Sequence, residues 1–524
     1  MTGGVASVAL PLLVGLPLLA AGCLVAVAAD RRAVLARAVL FAVLIANSTV
    51  GVLLVVARTD GSVLAHQVGN WLPGVAIVFV ADMFAALMLA ATGLLTLACC
   101  AFAVAAGQEQ RRMFAPLVLV LTGGVNGALL TGDLFNLFVF VEVMLLPSYG
   151  LLMLAARGTD SERQVRGNRL YVTVNLLTST IFLAGVGLIY GVTGTVNLGE
   201  LAAAARDSST VAAAAAVCLF ALSIKAAVVP VHGWLAQAYS ATSPTIAALF
   251  SGLHTKVAIY AIYRIYAVVF DGDSRWLWVG IVLFSVTMVV GGLGAIGQNT
   301  TRAVLAFSTV SQVGYILLGV ALFGPLGLTA GIFYQLHHMI VKTSLFLSTG
   351  AVEVRYGSVP LGQVRGLARR EPVIAVAFFA AALSLAGLPP FSGFVAKYAL
   401  VTASFSMAQW VAGAVAVLAS LFTLLAVLKI WSSLFWGTPE RRDDDPPAGA
   451  TDVEHTSGDT AVGDTTVAVR ATPRIGTALA APAVALVLAT LAFGIGGELM
   501  MWLSSVAADG LVDTTSYVQA VLTP

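Results

Sequence analysis

Charge is scarce in this sequence: 10% of its 524 residues are Asp, Glu, Lys or Arg, against 59% that are hydrophobic. So little polar surface argues against a soluble globular domain. Cysteine is scarce as well. Cys23, Cys99, Cys100 and Cys218 fall in apolar runs without paired spacing, so they read as small buried hydrophobes, and neither a disulfide nor a metal site is expected. No Walker motif or flavin fingerprint offers an energy source, and no cofactor is expected. The net charge of +2 is uninformative, and no nucleic-acid partner is expected.

What the chain does contain is apolar runs of about 20 residues, repeated along nearly its whole length, each long enough to cross a hydrocarbon core as a helix. Backbone polar groups in lipid must be satisfied within the segment, and long unbroken runs select the helix over the barrel. The expected fold is an all-α polytopic membrane protein with about 14 transmembrane helices. The first run lacks a charged leader and a cleavage site, so it is expected to remain as helix 1. The third span is expected at 77–104, the seventh at 211–231, the twelfth at 372–403 and the last at 475–505, with a short interfacial helix at 197–209.

Arginine sorts by side. Arg58, Arg206, Arg264 and Arg275 fall on one face of the expected membrane plane, and all other arginines on the opposite face, which should therefore be cytoplasmic. Both termini are then expected outside a bacterial cell membrane. Lysine behaves differently: all five, Lys225, Lys256, Lys342, Lys397 and Lys429, lie inside expected spans. A lysine at the bilayer centre costs about 2.5 to 3.5 kcal/mol on insertion scales, and ionisable groups held there mark ion and proton pathways. Arginine stays charged and suits orientation, whereas a buried lysine is able to exchange its proton.

Two spans are interrupted, by Pro230 and by "GLPPFSG" at 387–393, each close to a lysine. Paired interruptions suggest two inverted five-helix repeats, helices 4–8 and 9–13, with helices 7 and 12 broken. The expected units are helices 1–3 at 1–112, a first repeat at 113–268, a second at 269–436, a polar cytoplasmic linker at 437–474, expected to be disordered, and a final helix and tail at 475–524.

Glu142 is the only acid deep within a span, and Lys225 is its expected ion-pair partner. Lys256 sits mid-span. His338 and Lys342 are four residues apart and share a helix face, a spacing suited to proton relay. Lys397 follows the second break, beside freed backbone carbonyls. These six residues, Glu142, Lys225, Lys256, His338, Lys342 and Lys397, form the expected proton path. Asp82, Asp133, His232, His254 and Lys429 are secondary candidates; His254 reads more as a packing residue, and Lys429 lies near enough to a span end to reach the interface.

The stretches "TGDLFNLFVFVEV" (131–143), "LSIKAAVVPVHGWL" (222–235), "GLHTKVAIYAIYR" (252–264), "TRAVLAFSTVSQVGY" (301–315), "HMIVKTSLFL" (338–347) and "LAGLPPFSGFVAK" (385–397) resemble the antiporter-like subunits shared by Mrp cation/proton antiporters and respiratory complex I. Within that superfamily the chain looks most like the D-type members of Mrp complexes. The resemblance implies 14 helices in inverted repeats, proton translocation through the positions of Glu142, Lys225, Lys256, His338 and Lys397, and partner subunits of A, B, C, E, F and G type exchanging Na+ or K+ for protons. Tyr239 stands where many relatives carry a second histidine, and the linker is long for the family. The rival expectations are a proton-pumping subunit of complex I or of a membrane-bound hydrogenase, and a non-conducting scaffold.

Overall fold

The structure, a computed structural model, describes residues 2–26, 32–71, 77–155, 161–357, 360–437 and 474–523. The expected linker at 437–474, with His455 in it, lies almost wholly outside the described residues. Long helices dominate. Among the described residues, 11 are long and apolar enough to cross a membrane.

The N-terminal helices are α1 (Thr2–Ala26), α2 (Arg32–Ala57) and α3 (Met83–Ala105). The all-α expectation needs one correction between the last two. Leu64–Gln67 (β1) and Val78–Ala81 (β2) pair antiparallel, Leu64 opposite Ala81 and Gln67 opposite Val78. The expected third span therefore begins as a strand, because a short apolar run rich in β-branched residues carries no period that separates strand from helix. Asp82 ends the strand and starts α3, accepting a hydrogen bond from the Ala85 amide at 2.9 Å. The other side of β2 is covered: Gly132 N donates to Val78 O at 2.9 Å, so no open edge remains there.

Next come α4 (Phe114–Leu130), α5 (Leu134–Ala155), α6 (Ser161–Thr193), α7 (Ala204–Asp207), α8 (Ser209–Ala226), α9 (Gly233–Ser240) and α10 (Pro244–Val268). The interfacial helix expected at 197–209 shrinks to the four residues of α7. Asn197 Oδ1 accepts from Gly199 N at 2.8 Å, holding a turn in place of a first helical turn, and Ser208 already caps α8. The seventh span breaks as expected. The left-handed backbone of Ala227 (φ 64°) ends α8, and Trp234 Nε1 donates to Ile224 O at 2.9 Å across the gap.

The second half holds α11 (Leu277–Ile296), α12 (Thr301–Ala321), α13 (Pro325–Tyr356), α14 (Leu367–Arg370), α15 (Pro372–Ala386), α16 (Ser392–Ser406) and α17 (Trp410–Leu434). Here the break between α15 and α16 starts at Gly387 (φ 91°). The expected last span divides into α18 (Thr477–Ile495) and α19 (Gly497–Val512), and α20 (Thr515–Leu522) follows.

Every residue of α10 is buried, as is most of α12 and α13, so these three form the centre of the bundle. In lipid no hydrophobic effect drives helix against helix, and close backbone packing of small residues takes its place. A Cβ on Gly319 (α12) would sit 2.5 Å from Gly331 Cα (α13), and Tyr263 of α10 donates to Ile316 O at 2.5 Å beside that crossing. Cys99, Cys100 and Cys218 are buried, whereas Cys23, expected to be buried like them, lies exposed on the outer surface of α1.

Candidate functional site

Both helix breaks place a lysine against a helix end. Lys225 occupies the last turn of α8, where the helix dipole favours a cation. Its Nζ donates to Asn175 Oδ1 at 3.3 Å, and Asn175 is oriented by donating its own Nδ2 to Tyr171 O at 2.8 Å. The expected direct Glu142–Lys225 ion pair is thus corrected: an α6 amide oxygen stands against the ammonium instead. Glu142 is half-buried, its Oε1 has no hydrogen-bond partner among the described residues, and it lies within electrostatic reach of Lys225.

Lys397 is arranged in the same way at the second break. Its Nζ donates to Ala386 O, the carbonyl that closes α15, at 2.9 Å, and lies 5.3 Å from the centre of the Tyr315 ring. Gly387 makes room, since a Cβ there would lie 2.7 Å from Lys397 Cδ.

Between the breaks lie the central helices. Lys256 is fully buried and donates to Thr255 Oγ1 at 3.0 Å. Lys342, also fully buried, donates to Ser308 Oγ. Neither ring nitrogen of His338 has a hydrogen-bond partner among the described residues, and the ring lies within electrostatic reach of Lys256, Lys342 and His337. His337 bonds Ser392 Oγ through Nδ1 at 2.8 Å and in turn feels Lys397. His254 feels Lys225, and both its nitrogens are engaged, by Ser148 Oγ at 2.9 Å and Tyr171 OH at 2.8 Å. The structure therefore brings Glu142, Lys225, His254, Lys256, His338, Lys342, His337 and Lys397 into one interior row, each within reach of the next or on the same helix.

The other secondary candidates stand apart from that row. Lys429 donates to Ile296 O at 2.8 Å and Gln298 O at 2.6 Å, capping the end of α11. Asp133 caps α5 by accepting from Asn136 N at 2.7 Å. His232, at the first break, sets its ring edge against Phe307. Asp82 pairs with Arg264 at 2.6 Å, and this corrects the placing of Arg264 among the arginines at one face of the membrane plane: the side chain is 3% exposed, inside the bundle. Asn175, Ser308 and Ser392 carry no sequence signal of their own, because polar residues of these kinds are common in buried helices and only their neighbours distinguish them.

A family described as NADH:quinone oxidoreductase/Mrp antiporter, transmembrane, matches residues 131–423, more than half of the chain and all of that row. The chain belongs to this NADH:quinone oxidoreductase/Mrp antiporter family. Its relatives include the D-type subunit of the Na(+)/H(+) antiporter of Alkalihalophilus pseudofirmus, 35% identical over 479 residues, which covers 90% of this chain and 91% of the relative. Among solved structures, a chain of the Mrp complex from a Dietzia species superposes with a TM-score of 0.91 at 59% identity, covering 99% of both chains. A chain of the membrane-bound sulfane sulfur reductase, an archaeal respiratory membrane complex, superposes at 0.84 with 25% identity, over 98% of this chain and 100% of the other. For this member of the antiporter family, a multi-pass membrane location follows from its apolar helices and its relatives.

Proposed function

We propose that this chain is the proton-translocating subunit of a multi-subunit Na+/H+ antiporter in a bacterial cell membrane, a transporter subunit rather than an enzyme, assembled with subunits of A, B, C, E, F and G type. The observation that carries the reading is the interior row of buried amines and imidazoles. Lys256 and Lys342 have neutral hydroxyl partners, and Lys225 and Lys397 have neutral carbonyl partners. Among the described residues none has a carboxylate in contact, so each proton is held by groups that do not fix it in place. Relatives named as D-type members of Na(+)/H(+) antiporters support the same reading over a redox-driven pump.

In this reading a change of charge at Glu142 alters the proton affinity of Lys225 through space, and the perturbation passes along His254, Lys256, His338 and Lys342 to Lys397. Two inverted repeats fit the element order: α8 with α9, and α15 with α16, each count as one broken crossing, so α4–α10 and α11–α17 each supply five and the chain about 14. The arginine distribution supports both termini outside.

Vesicles carrying the full complex test it. Glu142→Ala and Lys225→Ala should each abolish Na+-dependent proton flux while the complex still assembles. Normal flux in both variants would remove them from the path and the reading with them.

A further inference from the structure

Arg264 lies on α10 two turns beyond Lys256, roughly 12 Å along the axis at 1.5 Å per residue. Its Nη2 is 2.6 Å from Asp82 Oδ2, with the two side chains 3% and 8% exposed, and also donates to Tyr260 OH at 3.1 Å. The guanidinium carbon lies 4.4 Å from the centre of the Tyr517 ring on α20 and 5.4 Å from that of Tyr260. Beyond Asp82 and Tyr517 a surface cavity of about 390 Å³ opens on the face that carries the C-terminal helices, and Asp60, Asp509 and Asp513 stand in its wall. Hydrogen bonds from Ser62 hold the Asp60 carboxyl below the usual carboxylate range, and those from Thr515 do the same for Asp513, so this wall is negative at neutral pH.

A purely structural pair of this kind would engage the planar fork through two parallel bonds and satisfy its remaining donors. Here Nε and Nη1 of Arg264 are buried without a hydrogen-bond partner among the described residues. The pair is held at one corner, with spare donors for a second arrangement.

We propose that Asp82 and Arg264, closed over by Tyr517, form the gate between the lysine row and this aqueous cavity. The inference rests on the proton-translocation reading and extends it to the point of exchange with water. While the pair is closed, the fixed charge of Arg264, which does not deprotonate, opposes passage of a cation. A proton arriving from the row binds the Asp82 carboxylate and leaves its donor one charge lower. The neutral acid no longer holds Arg264, the guanidinium turns on its aromatic bed, and Asp82 opens to the cavity. Release of the proton to cavity water restores the carboxylate, which recaptures Arg264. Asp82 carries the proton in this scheme, whereas Arg264 and Tyr517 are positioning residues.

The test is passive proton leak in vesicles holding the full complex, read with an internal pH dye after a pH jump, without Na+ and with the membrane potential clamped. Arg264→Gln should dissipate the jump about tenfold faster than the unaltered complex, the change that a barrier lower by one moderate charge interaction brings. Arg264→Lys should return most of the tightness, which a loss of packing alone would not. Tyr517→Leu keeps apolar bulk but removes the ring from the guanidinium, and should leak as well. Assembled complexes of both Arg264→Gln and Tyr517→Leu that hold the jump as well as the unaltered protein overturn the gate. Should Arg264→Gln not assemble, Tyr517→Leu decides in the same way. Because the leak is read without Na+, loss of the gate is distinguishable from loss of the antiport reading, which Na+-dependent flux tests separately.

Discussion

Asn175 shows how one neutral side chain sets the behaviour of a buried cation. Its oxygen is the hydrogen-bond partner of Lys225, and its own amide is spent on Tyr171 O, so it cannot turn away without leaving a buried donor unpaired. Asn175→Leu should leave Lys225 uncompensated and lower Na+-dependent proton flux by about tenfold, a change of about 1.4 kcal/mol, with the complex still assembled; flux assays in vesicles check it. Gly387→Val should act on Lys397 from the other break, because a side chain there displaces the lysine stem from Ala386 O, and flux should fall in the same assay. Outside the membrane spans, Asp513 offers a pH readout. Its carboxyl is held below the usual range, so its contribution is complete above the ordinary value of about 3.9 and is lost as pH falls through the lower folded value. Amide exchange at Thr515, whose N–H it accepts at 3.0 Å, should stay slow relative to an open turn from neutral pH down to about 4 and accelerate only below that.

The two broken helices are the elements on which the site depends. Each ends in a left-handed residue, Ala227 after α8 and Gly387 after α15, and each leaves a helix end facing the interior. Only glycine takes that conformation freely; alanine does so at a penalty of about 1 kcal/mol. Ala227→Gly should therefore relieve local strain without moving Lys225, and the measurable outcome is unchanged flux with an equal or slightly higher thermal unfolding temperature of the complex. The α12–α13 crossing is less forgiving. Gly319→Val would drive a side chain into the Gly331 backbone and the Tyr263 hydroxyl together, and the expected result is a chain that fails to assemble, seen as loss of the complex on native gels.

Across the whole molecule the titratable groups divide by depth. Arginine–carboxylate pairs such as Arg37–Glu109 and Arg206–Asp271 lie at the exposed ends of helices, the amines and imidazoles run through the centre, and Asp82–Arg264 stands where the two zones meet. On the proposed reading, that arrangement separates charges that orient the chain from charges available for transfer. The proposed orientation has a direct check. A Ser516→Cys variant, in the cavity wall, should react with a membrane-impermeant thiol reagent applied to intact cells and not from the cytoplasmic side of inverted vesicles.

Helix type and the positions of both breaks were legible in the amino-acid order, because long apolar runs and prolines are local signals that lipid makes unambiguous, and the lone lysines named residues proposed for the path. What surrounds those residues was not. That Lys225 faces Asn175 rather than Glu142, that Lys429 closes a helix end, that a strand precedes α3 and that Arg264 turns inward to Asp82 all depend on contacts between residues tens to hundreds of positions apart. Sequence alone determined which segments are apolar enough to enter the membrane, since transfer from water to hydrocarbon is a property of each segment. Only the tertiary structure decided which groups meet there, since pairing in a low-dielectric interior depends on distances that helix packing sets.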